Sequence, residues 1–331
     1  MRFSNKNYNF TLARIYPLER FVCITGVSGS GKSSLLVDVI YENLRRYQNG
    51  NGKNFQLVEK IEGIEKIRGV KMVDQNPIGK TPRSTVATYV GFWDEIRKLF
   101  AMTVEARTRG FSASKFSFNL KEGSCEECKG TGFKKVRMSF LPLVNVVCET
   151  CGGKRYRKEV MEIKYRGYTI SDIMDMTVKE ALEFFSFHGK ITYSLRILNE
   201  TGLGYILLGQ SSPALSGGEA QRIKLAAEIA WAEYSSRKGY IYLLEEPTTG
   251  LHTLDVAKLL KTLHKLVDSG GTVIVIEHNM DVIADADWII DLGPGSGDNG
   301  GMVVAEGRVL DVLKKANSSK TAYFLKRYLN L

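Results

Sequence analysis

The sequence contains no apolar run approaching the ~18 residues that a membrane-spanning helix requires. A chain that crosses a bilayer by helices is therefore not expected. Its start, Met1-Arg2-Phe3-Ser4-Asn5-Lys6-Asn7, lacks the apolar core of a secretory leader, and a cytoplasmic location is the expectation. No internal repeat and no low-complexity tract is present, which removes solenoids and flexible linkers from consideration. Acids are in short supply: 36 Asp and Glu face 46 Lys and Arg, leaving a formal charge of +10. That balance inclines a protein toward polyanions without naming one. Cysteines are few and odd in number: Cys23, Cys125, Cys128, Cys148 and Cys151. Such a count argues against a disulfide framework, and four of the five fall in CxxC pairs, which suits a metal in a reducing compartment.

What is present suffices for a folded core. With 331 residues, 44% of them hydrophobic and 25% charged, the chain can build one large or two modest domains and is not globally disordered. Phe21–Thr25 reads as a short buried strand, Gly26–Gly31 as a glycine-rich turn, and Lys32 opens a helical stretch toward Arg46. Tyr47–Asn54 is polar and reads as a loop, Val86–Met102 and Met176–Phe187 have helical spacing, and Gly123–Tyr156 reads as a small cysteine- and glycine-rich insertion. After Ser216 the alternation becomes regular: helix Glu219–Glu233, strand Tyr240–Leu244, helix Leu254–Val267, strands Thr272–Ile276 and Trp288–Leu292. A glycine-rich loop at Asp291–Gly301, a hairpin-like stretch and a basic terminal helix complete the order. Apolar, β-branched strands alternating with helices predict a mostly parallel sheet covered on both faces.

Gly26-Val27-Ser28-Gly29-Ser30-Gly31-Lys32-Ser33 fits the phosphate-loop pattern, with a strand before it and a helix after it. Glycines let backbone N–H groups close around phosphate oxygens, and the helix presents its positive end. Lys32 reaches the outer phosphates, and Ser33 can ligate Mg²⁺. Ser34 continues the same turn. The strand Tyr240–Leu244 ends in Glu245 and Glu246, at the sheet edge where ligands sit in open α/β folds. The first acid is suited to holding Mg²⁺ and the second to activating a water. His278 follows the strand Thr272–Ile276 and Glu277; one histidine there can touch a γ-phosphate but is more often structural. Leu215-Ser216-Gly217-Gly218-Glu219 opens a helix with Ser216 as a plausible N-cap and glycines that permit close backbone approach, which by itself is as readily a second phosphate-binding helix terminus as a capped start.

Taken together, these segments resemble the ATP-binding-cassette (ABC) family. The Walker A loop is Gly26–Ser33, the Q-loop residue is Gln75, the signature is Leu215–Arg222, and the Walker B glutamate and H-loop histidine are Glu246 and His278. The resemblance implies that Ser216, Gly217, Gly218 and Glu219 of one half cap the ATP held by the Walker A loop of another. One chain carries one copy of each part, so a second half is implied. Where the family usually has Asp, this chain has Glu245; the extra methylene moves the carboxylate by about one bond, and Mg²⁺ tolerates little geometric error. ATP binding with slow turnover is the expectation.

Cys125-Glu-Glu-Cys128 and Cys148-Glu-Thr-Cys151 give CxxC-x19-CxxC, a spacing suited to tetrahedral Zn²⁺. Gly130, Gly132, Gly152 and Gly153 supply turns behind each pair. No open coordination position is suggested, so the site reads as structural; Cys23, inside an apolar strand, reads as a core residue. Charge concentrates here: eight bases between Lys129 and Lys158 face one acid, Glu149. A metal-held module with clustered Lys and Arg is suited to a phosphate backbone, without an indication of base-specific readout.

The motifs VDQNPIGKTPRSTVATYVG (Val73–Gly91), FSASKFSFNLKEGSCEECKGTG (Phe111–Gly132), CETCGGKRY (Cys148–Tyr156) and GLGYILLGQ (Gly202–Gln210) narrow the likeness. With LSGGEAQRIKLA (Leu215–Ala226), EEPTTGLH (Glu245–His252) and ADWIIDLGPGSGDNGG (Ala286–Gly301), the chain resembles the C-terminal half of UvrA, the damage-recognition ATPase of bacterial nucleotide excision repair. The resemblance implies an ABC-type α/β ATPase with an ATP-binding core over 1–75 and 215–331, a helical signature region over 76–214 and a zinc module at 123–156. It implies ATP, Mg²⁺ and Zn²⁺ as cofactors, and DNA contacts at Lys80, Arg83, Lys134, Lys135, Arg137, Lys154, Arg155 and Arg157. It also implies pairing with a second UvrA-like half, as a homo- or heterodimer. The stretch offers no room for the UvrB-binding domain of the family's N-terminal half, so loading of a UvrB-type partner by this chain alone is not expected. Two functional classes stay open: an ATPase reset by hydrolysis, or a weakly catalytic ATP-sensing or self-resistance subunit. A transporter motor is disfavoured, since the basic cysteine module has no evident role there.

Overall fold

The computed structural model describes residues 1–4, 14–50, 55–136, 144–232 and 236–331. They form two compact units, one joining Met1–Asp74 to Trp231–Leu331 and the other comprising Gln75–Ala230. The expected boundary at 75/76 lies beside the first division. The expected boundary at 214/215 precedes the helix Gly217–Ala232, whereas the units divide near the end of that helix.

In chain order the strands are β1 (Arg2–Ser4), β2 (Arg14–Ile15), β3 (Phe21–Gly26), β4 (Lys60–Glu62), β5 (Gly69–Val73), β6 (Phe133–Val136), β7 (Val144–Val147), β8 (Tyr240–Glu245), β9 (Thr272–Ile276), β10 (Trp288–Gly293) and β11 (Met302–Gly307). The first unit is built on a six-stranded sheet of order β11-β10-β3-β9-β8-β5. Five of these strands are parallel, and β11 closes one edge antiparallel to β10. All residues of β3 and β9 are buried. That is why their sequences are continuous apolar runs without polar alternation: a parallel sheet is covered on both faces, and β-branched residues fit its pleat.

One covering layer follows the glycine turn. The helical turn Lys32–Ser34 runs through a π-helical stretch, Leu35–Tyr41, into Glu42–Gln48, so the helix extends into the expected loop. Leu35, Leu36 and Ile40 pack with Val22, Ile24, Leu243 and Ile274 in one buried cluster. Truncating a fully buried member such as Ile24 to Ala should cost about 2–5 kcal/mol. The helix Thr253–Asp268 buries Leu259, Leu263 and Leu266, an i, i+4, i+7 stripe. A smaller sheet of order β2-β1-β4 belongs to the same unit.

The second unit is largely helical. Val86–Met102 is two helices, Val86–Val90 and Trp93–Ala101. Thr85 caps the first in a reciprocal box with Thr88, and Gly91 ends it at φ 96°, a left-handed conformation that glycine adopts without a Cβ penalty. Phe100, Phe116, Phe118 and Phe185 are buried in this unit. The strands β6 and β7 pair as an antiparallel hairpin beside the cysteines.

Candidate nucleotide site and four-cysteine centre

Three parallel strands deliver polar groups to one edge of the sheet. Because β9 lies between β3 and β8, the segment after β9 stands between the glycine turn and Glu245-Glu246. The turn itself alternates into the left-handed region at Gly29 (φ 75°) and Gly31 (φ 89°), the geometry that directs successive N–H groups to one side. At Gly26 (φ 138°) a Cβ would fall 2.1 Å from the Leu292 carbonyl oxygen, so only glycine lets β3 turn there. Gly29 and Ser30 direct their carbonyls to a second glycine loop, accepting from Gly297 N–H at 3.2 Å and Gly301 N–H at 3.0 Å. Ser28 is exposed and Ser30 buried.

Lys32 is buried and curls onto the turn, its Nζ donating to Gly26 O at 3.1 Å and Val27 O at 2.8 Å. Burial lowers its pKa, while Glu246, Asp291 and Glu245 oppose that shift. The Ser33 hydroxyl donates to the Glu245 carboxylate, and Ser34 is exposed. Ser33 and Glu245 thus form an oxygen pair of the kind Mg²⁺ takes, reached despite the longer glutamate. Glu246 has φ 43°, and its Oε1 lies 3.8 Å from His278 Nε2. Both side chains are about half exposed, open to a ligand at the sheet edge.

Glu277 was not anticipated from the sequence. It is buried; its Oε1 accepts Thr248 N–H at 2.8 Å, and its Oε2 accepts His278 N–H at 2.9 Å and Asn279 N–H at 3.3 Å. One carboxylate therefore fixes both the loop after Glu246 and the turn bearing His278. A charged residue directly after four apolar ones, Val273–Ile276, was the available signal.

The signature turn lies in the second unit. Ser216 Oγ accepts Glu219 N–H at 3.3 Å, and Glu219 Oε2 accepts Ser216 N–H at 2.8 Å, a reciprocal capping box. Burial would raise the Glu219 pKa, but hydrogen bonds from Tyr205 and Ser216 bring it below the ordinary range. A Cβ on Gly217 would come within 3.1 Å of Gln75 Cβ and Oε1, so this glycine lets Gln75 approach the helix start. Gly218 follows in the first turn.

In the same unit the four Sγ atoms of Cys125, Cys128, Cys148 and Cys151 all lie within 4.8 Å of one another. Cys125 and Cys148 are 4.0 Å apart and Cys128 and Cys151 3.7 Å. Tetrahedral Zn²⁺ with bonds of ~2.3 Å places sulfurs ~3.8 Å apart, so the quartet fits that ion. Electrostatics agree. Burial pushes the thiols of Cys125 and Cys151 up, Cys151 to about 12, whereas backbone N–H groups and neighbouring thiols outweigh burial at Cys148 and bring it down to about 7. Gly130, Gly132, Gly152 and Gly153 all have positive φ, and Gly132 N–H donates to Cys128 Sγ at 3.3 Å. Cys23 is a buried core residue.

The basic residues divide. Lys80, Arg83, Lys135 and Lys154 are exposed. Lys134 pairs with Glu127, and Arg157 with Glu126 at 2.8 Å. Arg155 turns inward, donating to Gly209 O at 3.1 Å and Pro82 O at 3.5 Å and lying over the Phe118 ring, 5.4 Å from its centroid. Arg137 lies outside the described residues. The exposed members Arg83, Lys129 and Lys135 line one groove of about 570 Å³ with Phe133 and Asn145.

Comparison with known proteins gives the frame for these parts. The chain is 54% identical over 324 residues to UvrABC system protein A of Aquifex aeolicus, covering 98% of this chain and 34% of that one. It is 54% identical over 315 residues to UvrABC system protein A of Thermus thermophilus, covering 94% and 32%. The chain belongs to the UvrA family. The crystal structure of UvrA2 from Deinococcus radiodurans matches it with a TM-score of 0.85 at 44% identity, over 98% of this chain and 39% of that one. No family model matches. The fold is thus the ABC-type P-loop α/β fold of UvrA, and the chain spans about a third of the length of the UvrA relatives it matches. No helix among the described residues is long and apolar enough to cross a membrane.

Proposed function

We propose that this chain is one ABC half of a UvrA-type, ATP-gated DNA-binding ATPase acting in damage recognition for nucleotide excision repair. The reading is carried chiefly by the contact of Ser33 with Glu245 beside Glu246 and His278, all at the carboxyl ends of adjacent parallel strands. In this reading the N–H groups of Gly29–Ser34 and the Lys32 ammonium bind the phosphates of ATP, Lys32 leaving its two carbonyl partners to do so. Ser33 and Glu245 hold Mg²⁺, which neutralises phosphate charge. Glu246 takes the proton of the attacking water, and His278 orients it toward the γ-phosphate. Ser216, Gly217, Gly218 and Glu219 cap the nucleotide of a second ABC half, with Gln75 against Gly217 at the start of that helix. That half is supplied by another copy or by a related chain.

The cysteine quartet holds a structural Zn²⁺, keeping the module's turns in place. DNA contacts belong to the exposed cations Lys80, Arg83, Lys135 and Lys154. Lys134 and Arg157 contribute only by exchanging Glu127 and Glu126 for phosphate, and Arg155 serves packing. None of these residues is assigned to a UvrB-type partner. The alternative is an ATP-sensing regulatory or self-resistance subunit with little turnover, and its support is Glu245 in place of aspartate.

Steady-state hydrolysis separates the two. The enzyme reading expects turnover in the presence of DNA and a second half, and a drop of about 100-fold in Glu246→Gln with ATP binding retained. Wild-type protein that binds ATP but never turns over, with or without DNA and a second half, would leave only the sensor.

A further inference from the structure

Beyond the phosphate loop and the cysteines, one exposed aromatic residue is fastened to the signature turn. Tyr205 is 61% exposed, yet its hydroxyl donates to Glu219 Oε1 at 2.7 Å. The other oxygen of that carboxylate accepts Ser216 N–H at 2.8 Å. A capping glutamate acting alone keeps its own torsional freedom; here both oxygens are engaged, one toward the serine and one toward a separate segment. That segment is itself fixed, since Val178 N–H donates to Ile206 O at 2.9 Å and Leu208 N–H to Met176 O at 2.9 Å. Ile206 and Leu208, which follow Tyr205, are buried. Arg222, buried one turn further along the signature helix, adds its charge beside the same carboxylate. A two-torsion aromatic side chain on a pinned turn is a firm post for a flexible glutamate.

We propose that Tyr205 is a positioning residue for the signature serine, holding Glu219 so that the Ser216 turn meets the opposing nucleotide in register. The inference rests on the proposed reading that this turn caps the nucleotide of a second half. Tyr205 does not touch nucleotide; it acts through Glu219.

Tyr205→Phe keeps the ring and removes only the hydroxyl. Binding of a fluorescent ATP analogue by the full chain should stay within about twofold of wild type, because Lys32 and Ser33 belong to the other compact unit. The kcat measured with a second ABC half should fall on the order of three- to tenfold. Combined with Ser216→Ala, the change should cost nothing more, since the hydroxyl acts through the serine turn. Wild-type kcat in Tyr205→Phe overturns the role. So does a double variant slower than Ser216→Ala by the full single-variant factor. In both cases a loss in Ser216→Ala leaves the capping reading intact. Unimpaired turnover in Ser216→Ala would instead remove that reading, and the role of Tyr205 with it.

Discussion

Glu245 carries one methylene more than the aspartate usual at this place, and its carboxylate meets the Ser33 hydroxyl directly. The longer side chain offers the metal its carboxylate about one bond further from the strand, and a metal of near-octahedral demand, with bonds of ~2.0–2.1 Å, tolerates little geometric error. Glu245→Asp should therefore raise kcat about three- to tenfold while leaving ATP affinity nearly unchanged. Turnover measured across a Mg²⁺ series checks this, and an unaltered kcat would count against Glu245 as the brake. Asp291 offers a second residue-level test. It is 2% exposed and accepts from Ser319 Oγ at 2.6 Å and Thr321 Oγ1 at 2.8 Å. Burial pushes its carboxyl above the ordinary range despite those hydrogen bonds and the charge of Lys32. A folded pKa raised in this sense makes a contribution that is complete below the ordinary value of ~3.9 and is lost as pH climbs through the folded value. Wild-type stability measured against Asp291→Asn should consequently decline from pH 4 upward. Urea midpoints over that range would show it, and a pH-independent difference would refute it.

Elements reveal where sequence reading succeeds and where it stops. The strands β3, β8, β9 and β10 were legible because burial on both faces leaves largely apolar runs, broken in β10 by Asp291; three of the four extend one residue beyond the expectation and β9 matches it. The helix pair at Val86–Ala101 read as one helix because its apolar spacing continues across Gly91, whose positive φ has no periodic signature. Charge at the cysteine module was overread for a different reason. A count begun at Lys129 omits Glu126 and Glu127, which the metal-type fold brings against Arg157 and Lys134. Cation–carbonyl contacts such as those of Arg155 are long-range and carry no local pattern. Glycine at the end of β3, in contrast, was placed by motif and is explained by contact. Gly26→Ala would press a methyl group into the Leu292 carbonyl at 2.1 Å in a left-handed backbone, and should cost at least about 2–3 kcal/mol in urea denaturation. An equally stable variant would mean that β10 yields freely there.

At the scale of the whole molecule, the phosphate loop, Glu245, Glu246 and His278 lie in one compact unit, while the cysteines and the signature turn lie in the other. Structural Zn²⁺ is worth about 10 kcal/mol or more to small metal-held modules. Its removal by a chelator, or Cys148→Ser, should therefore disorder the module and abolish DNA affinity, while binding of ATP analogue to the first unit persists. Metal content, near-ultraviolet spectra and nucleotide titration, taken together, check this; loss of ATP binding along with the metal would show that the units depend on each other. The first unit is also assembled from two segments on either side of the second, and that governs the order in which it can be made. During synthesis the phosphate-loop strand precedes both of its sheet neighbours, β9 and β10, which are encoded long after it. The second unit is complete and free to collapse before either neighbour exists. Nascent chains stalled ahead of Thr272 should thus hold metal but not nucleotide, leaving Phe21–Gly26 without either of its sheet neighbours.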